Sequence, residues 1–138
     1  MQRTLAIVKP DGVASGLIGE VVKRIEQDGL RIIGMRMEHM TRTRAEGFYY
    51  VHRSKPFFES LIAFMTEGPC VLMALEGPDA ITRWRALMGS TDPQKAAPGT
   101  IRRDMGTSIE RNVAHGSDAV DTASFEVNYF FTGTELSR

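Results

Sequence analysis

Asn112-Val113-Ala114-His115-Gly116-Ser117-Asp118 decides how the rest of the chain is read. It sets one imidazole among an amide, a hydroxyl and a carboxylate, then follows it with a glycine, which allows another molecule to approach the backbone closely. With an ordinary pKa of about 6.5, a neutral histidine is a nucleophile for phosphorus that needs no second base to deprotonate it. The same residues also suit a plainer role, a strand closed by a turn with Asp118 capping the helix behind it. These residues alone leave both readings open.

Downstream, Val120, Ala123, Val127 and Phe130 recur at helical spacing and mark an inward stripe with Glu126 at its edge, and the polar residues Thr132 to Arg138 close the chain. Upstream, Gly89 to Gly106 has no periodicity, yet it carries Thr91, Lys95, Thr100, Arg102 and Arg103. A long loop in a small domain is usually functional or disordered, and these hydroxyls and arginines fit an anion-binding loop with Arg102 exposed on it. Leu5-Ala6-Ile7-Val8 reads as a short strand buried on both faces. The turn Pro10-Asp11-Gly12 leaves Lys9 at its mouth, either as a solvated end residue or as a point charge for a phosphate.

Between these ends the periods are clear. Leu17 to Ile25 is an amphipathic helix stopped by Gly29, and Ile33, Met35 and Met37 alternate with polar partners as the core face of a strand. Thr43-Arg44-Ala45-Glu46 matches a capping box before a short helix through Phe48, Tyr49 and Tyr50. A second helix starts at Lys55-Pro56, and its apolar set, from Phe57 to Met65, is wider than one core stripe needs. An aromatic there is spare for a partner chain or for stacking on a nucleobase. Cys70 to Leu75 forms a buried strand, and Gly77-Pro78-Asp79 opens a helix with Ile81, Trp84 and Met88 inside and Arg83 and Arg85 outside. His39 and His52 have no Cys or His at metal spacing and read as ordinary surface or hydrogen-bonded residues.

Four strands interleaved with helices imply an α/β sandwich, one domain over residues 1–138. The 17 basic and 17 acidic residues cancel, so no global field draws the protein to nucleic acid or an anionic membrane. The lone Cys70 sits in an apolar run as a small hydrophobe. The chain begins in a strand-like run without a signal-peptide pattern, and no apolar stretch spans a bilayer, so the expected location is the cytoplasm. Neither glycine-rich phosphate cradle is present, and side chains must hold any phosphate.

The histidine motif resembles the active-site signature of the nucleoside diphosphate kinases. Ile7-Val8-Lys9-Pro10-Asp11-Gly12, Lys55-Pro56-Phe57-Phe58, Gly68-Pro69, Arg85 to Pro93 and Pro98-Gly99-Thr100-Ile101-Arg102 resemble further segments of that family in the same order, from Arg3 to Phe131. Asp92 stands where the family more often has asparagine. The resemblance implies a ferredoxin-like domain with a four-stranded antiparallel sheet, assembled as a homohexamer or homotetramer. It implies a ping-pong reaction in which a nucleoside triphosphate, mainly ATP, phosphorylates His115 and the phosphohistidine passes the group to a nucleoside diphosphate. By the same resemblance Lys9, Tyr49, Arg85, Thr91, Arg102 and Asn112 hold phosphates and sugar, and Phe57 stacks on the base with broad tolerance. Tyr49 fits the family's spacing to Pro56 better than Tyr50. Ser117 and Glu126 orient the histidine, and Asp118 approaches Mg2+ through water while the nucleotide's phosphates carry the ion. A catalytically silent nucleotide-binding module of the same fold is the alternative, and a zero charge balance with helix-borne aromatics disfavours an RNA-binding sheet.

Overall fold

The computed structural model describes residues 1–137; Arg138, the end of the expected polar tail, lies outside the described residues. Strands β1 (Gln2–Val8), β2 (Arg31–Glu38), β3 (Cys70–Gly77) and β4 (Ala114–Gly116) form one sheet in the order β2-β3-β1-β4. Every neighbouring pair is antiparallel. The helices are α1 (Pro10–Ala14), α2 (Ile18–Gln27), α3 (Arg42–Phe48), α4 (Phe58–Met65), α5 (Ala80–Met88), α6 (Ile101–Met105) and α7 (Val120–Phe130).

Both faces of the sheet are covered. Leu5, Ile7, Leu72 and Ala74 pack with residues of α3, α4 and α7, whereas Ala6, Val8, Val71, Met73 and Leu75 pack with α2, α5 and α6. This double burial is the reason β1 and β3 read as unbroken apolar runs. At the edge, β2 departs from the expected alternation. A register shift between Ile32 and Gly34 turns the strand over, leaving Ile33 buried but Met35 and Met37 half exposed. The two methionines are therefore surface residues.

Local signals moved in other places too. Thr41, not Thr43, caps α3, its hydroxyl accepting from the Arg44 amide, while Glu46 pairs with Arg42. The segment expected to be a formless loop contains α6, capped by the Thr100 hydroxyl, which accepts from the Arg103 amide. Val120 lies outside the inward stripe of α7 and is exposed. After α7 the tail folds back on β2: Leu136 and Phe131 cover Gly34, the Ser137 amide donates to the Ile33 carbonyl, and Glu135 pairs with Arg36.

Candidate active site

β4 delivers His115 opposite Ile7 of the central strand. Just before it the chain turns sharply. Val113 has φ +75° at the centre of a turn in which the Ala114 amide donates to the Asn112 carbonyl. This conformation is rare for a β-branched residue and is held in place by its neighbours. The Lys9 amide donates to the Val113 carbonyl, and the Asp11 carboxylate accepts from the Val113 amide at 3.0 Å.

The imidazole is braced on several sides. Its Nε2 lies 2.9 Å from Glu126 Oε1, the same oxygen that accepts from the Ser117 hydroxyl at 2.9 Å. Ser117 is fully buried and its Oγ accepts in turn from the Leu5 amide. Because the carboxylate oxygen can only accept, the ring proton is assigned to Nε2, which leaves Nδ1 with a free lone pair. The edges of Phe48 and Tyr49 meet the ring at centroid distances of 5.3 and 6.2 Å. From the other side, the Trp84 indole donates to the His115 carbonyl at 3.0 Å.

Gly116 does not serve the incoming molecule alone. A Cβ there would stand 2.5 Å from Met88 Cε and 2.7 Å from the Trp84 ring, so the missing side chain makes room for α5. Gly116→Ala is expected to displace the indole and lower stability by about 1–3 kcal/mol, an overpacking effect measured by denaturant unfolding. An unchanged midpoint would mean that α5 yields freely.

A cavity of about 630 Å³ opens beside His115. Arg85, Thr91, Arg102 and Asp118 give it a polar wall, and Tyr49, Phe57 and Leu61 an aromatic and apolar one. His52, expected as an ordinary surface or hydrogen-bonded residue, lines it as well, its ring 5.6 Å from that of Phe57. Tyr49 is buried at the cavity, and burial pushes its hydroxyl pKa up; Tyr50 points outward beneath the Arg53 guanidinium. Phe57 is half exposed, immediately before α4.

The cations differ in how free they are. Arg85 Nη1 meets Asp118 Oδ1 at 2.6 Å, but both side chains are exposed, so the pair is worth about 0–1 kcal/mol and opens easily for an incoming anion. Arg102, expected on an exposed loop, is instead largely buried on α6. Its Nη1 and Nη2 donate to the carbonyls of Gly89 (3.1 Å) and Ala114 (2.7 Å), and its Nε is buried without a partner among the described residues. Burial, reinforced by the nearby Arg85 charge, lowers its pKa to about 10. Lys9 lies in the layer beneath. Its Nζ donates to the Glu110 carbonyl and to Asn112 Oδ1, both at 2.8 Å, and the Asn112 amide donates to the Thr91 carbonyl. Burial brings the Lys9 pKa down to about 8.

Magnesium requires oxygen ligands and commonly uses one or two carboxylates with substrate phosphates. Among the described residues no group of three His, Cys, Asp or Glu side chains could hold a metal. The single exposed carboxylate at the cavity, Asp118, fits an ion that arrives on phosphates, not one caged by protein.

A family model described as nucleoside diphosphate kinase matches residues 2–136. The nucleoside diphosphate kinase of Desulfosudis oleivorans is 66% identical over 136 residues, covering 99% of this chain and 98% of that protein. That of Syntrophotalea carbinolica is 54% identical over the same length, covering 99% of each. Among solved structures, the nucleoside diphosphate kinase of Aquifex aeolicus superposes with a TM-score of 0.96 at 43% identity, covering 98% of both chains. A halophilic nucleoside diphosphate kinase from Halobacterium salinarum, in complex with CDP, gives a TM-score of 0.96 at 45% identity, covering 99% of this chain and 91% of that one.

Proposed function

This chain belongs to the nucleoside diphosphate kinase family, enzymes that transfer phosphoryl groups between nucleotides, and from that premise we propose a ping-pong reaction through a phosphohistidine at His115. Nδ1 of His115 attacks the γ-phosphorus of a nucleoside triphosphate, mainly ATP. The bond from that phosphorus to the β,γ-bridging oxygen breaks, and the nucleoside diphosphate leaves with the electron pair. A terminal oxygen of a second nucleoside diphosphate then attacks the same phosphorus, the P–N bond breaks, and neutral His115 is restored.

The observation that carries this reading is the 2.9 Å contact between His115 Nε2 and Glu126, which leaves Nδ1 as the available nitrogen beside an arginine-lined cavity. Phosphoryl transfer asks the protein for position and charge above all. Arg85 and Arg102 meet the phosphates, with Thr91 and Tyr49 as hydroxyl donors, while Lys9 and Asn112 approach phosphate or sugar from the layer below. Glu126 and Ser117 hold the ring and its tautomer. Phe57 stacks on the base by its flat face, a contact that reads no hydrogen-bonding edge and so tolerates purines and pyrimidines. Asp118 would approach, through water, a Mg2+ ion carried on the nucleotide's phosphates, which when bound would neutralise part of their charge.

The same reading has the protein acting in the cytoplasm as a homo-oligomer, a hexamer or tetramer, with no obligatory nucleic acid. The half-exposed Met35 and Met37 on edge strand β2 support self-association, and no helix among the described residues is long and apolar enough to cross a membrane. The test is intact-protein mass after mixing with ATP and magnesium, followed by a GDP chase. Gain of one acid-labile phosphoryl group that leaves as GTP is the expected result; nucleotide binding without any gain replaces this reading with a silent binding module.

A further inference from the structure

Val113, the one β-branched residue with a positive φ among the described residues, lies two residues before the proposed nucleophile, and one carboxylate faces it. Asp11 Oδ2 accepts from the Val113 amide at 3.0 Å, while Oδ1 is buried with no partner among the described residues. An unpaired carboxylate oxygen taken out of water is costly, so the place of Asp11 is not accounted for by stability. Asp11 also acts on Lys9: of the charges around that ammonium, its is the largest in effect.

We propose, resting on the phosphohistidine reading above, that Asp11 is a positioning residue for phosphoryl transfer: its carboxylate holds the left-handed turn at Val113 that sets β4 and keeps a negative charge beside the Lys9 ammonium. The two tasks meet at one place because the chain closes on itself there. The Lys9 amide donates to the Val113 carbonyl, Asp11 accepts from the Val113 amide, and Asn112, next to the turn, accepts from Lys9 Nζ. Val113 is buried, so without these anchors the strained residue is free to relax and carry His115 with it.

Lys9 is surrounded by Asp11 on α1, Arg102 on α6, Glu110 before β4 and the Phe64 ring of α4, above which Arg111 also lies, itself paired with Glu67. Burial already depresses the lysine, and the Arg102 charge depresses it further; Asp11 and Glu110 oppose both. Loss of the Asp11 charge therefore makes Lys9 give up its proton at lower pH. A purely structural Asp11 has no such effect.

The experiment is the pH profile of kcat/KM, which reports groups of the free enzyme, for the full chain and Asp11→Asn. The amide oxygen can still accept from Val113, so the substitution removes charge while sparing that bond. The alkaline limb is expected to move about one unit towards neutral pH, the shift one nearby charge produces. Activity below pH 7 falls only several-fold. An unmoved limb, whether or not activity is lower throughout, overturns the proposal. If Asp11→Asn does not fold, the double variant with Val113→Gly is read on the same axis, because glycine adopts φ +75° without an anchor. A double variant that still fails to fold also overturns it, since the carboxylate would then hold something other than this turn. Wild-type protein that forms no phosphohistidine is a different failure, that of the reading beneath.

Discussion

His115→Ala is expected to abolish phosphoryl transfer from ATP to GDP, a loss on the order of 10⁶ of the kind that follows removal of a covalent nucleophile. No other described side chain at the cavity pairs a free ring nitrogen with an orienting carboxylate. His52 shares the cavity, but its ring stands against Phe57 and Tyr49. Binding of ADP survives, because Arg85, Thr91, Phe57 and Arg102 are untouched. The fold weakens modestly: Glu126 Oε1, only 15% exposed in its side chain, loses the imidazole but keeps the Ser117 hydroxyl, so the expected cost is that of one hydrogen bond, about 1 kcal/mol. Three readouts check this together: coupled turnover, intact mass after ATP, and ADP titration. Turnover retained in the variant would remove His115 from the chemistry.

Arg102→Ala should cost both rate and stability. On an exposed loop this residue would contribute less than about 0.5 kcal/mol to the fold. Its actual place is different. It ties the Gly89 carbonyl to the Ala114 carbonyl, joining the end of α5 to the strand that carries His115. Alanine leaves both carbonyls without this donor, and the expected destabilisation is about 1–3 kcal/mol. On the proposed reaction the transition state would also lose a cation beside the transferring group, for which about 10²–10³ in kcat is the expected loss. Arg102→Lys rescues charge but not the double tether, since a lysine is a single point donor. Thermal unfolding run beside kinetics decides the matter: a rate loss with an unchanged Tm would show that the tether carries no load.

These two residues also show where the sequence was readable. The helical stripes of α2 and α5, that of α7 apart from Val120, and the runs of β1 and β3 follow directly from burial, and burial is what hydrophobic pattern reports. Lys9, Tyr49, Phe57, Arg85, Thr91, Arg102, Asn112, Ser117, Asp118 and Glu126 come together around His115 or in the layer beneath the cavity. What escaped was set by contacts distant in sequence. α6 is five residues long and sits among glycines and prolines, too short for a period to show. The bulge that turns Met35 and Met37 outward depends on pairing with β3, and no local pattern announces it. Gly116 looked like room for a substrate because its neighbour Trp84 is 32 positions away in the chain. His52 lacked metal spacing, which says nothing about whether a histidine faces a nucleotide-sized space.

The strand that carries His115 is only three residues long and has one neighbour in the sheet. That neighbour, β1, lies between β3 and β4, and its residues Leu5 to Val8 are fully buried. Fluctuations that loosen small parts of a protein start where protection is low, at frayed ends and exposed loops. Here the strand that carries His115 is sewn to that fully buried stretch, while Trp84 and Phe48 of the two cores clasp it from either face. Warming is therefore expected to displace His115 only when it dismantles the interior that holds it.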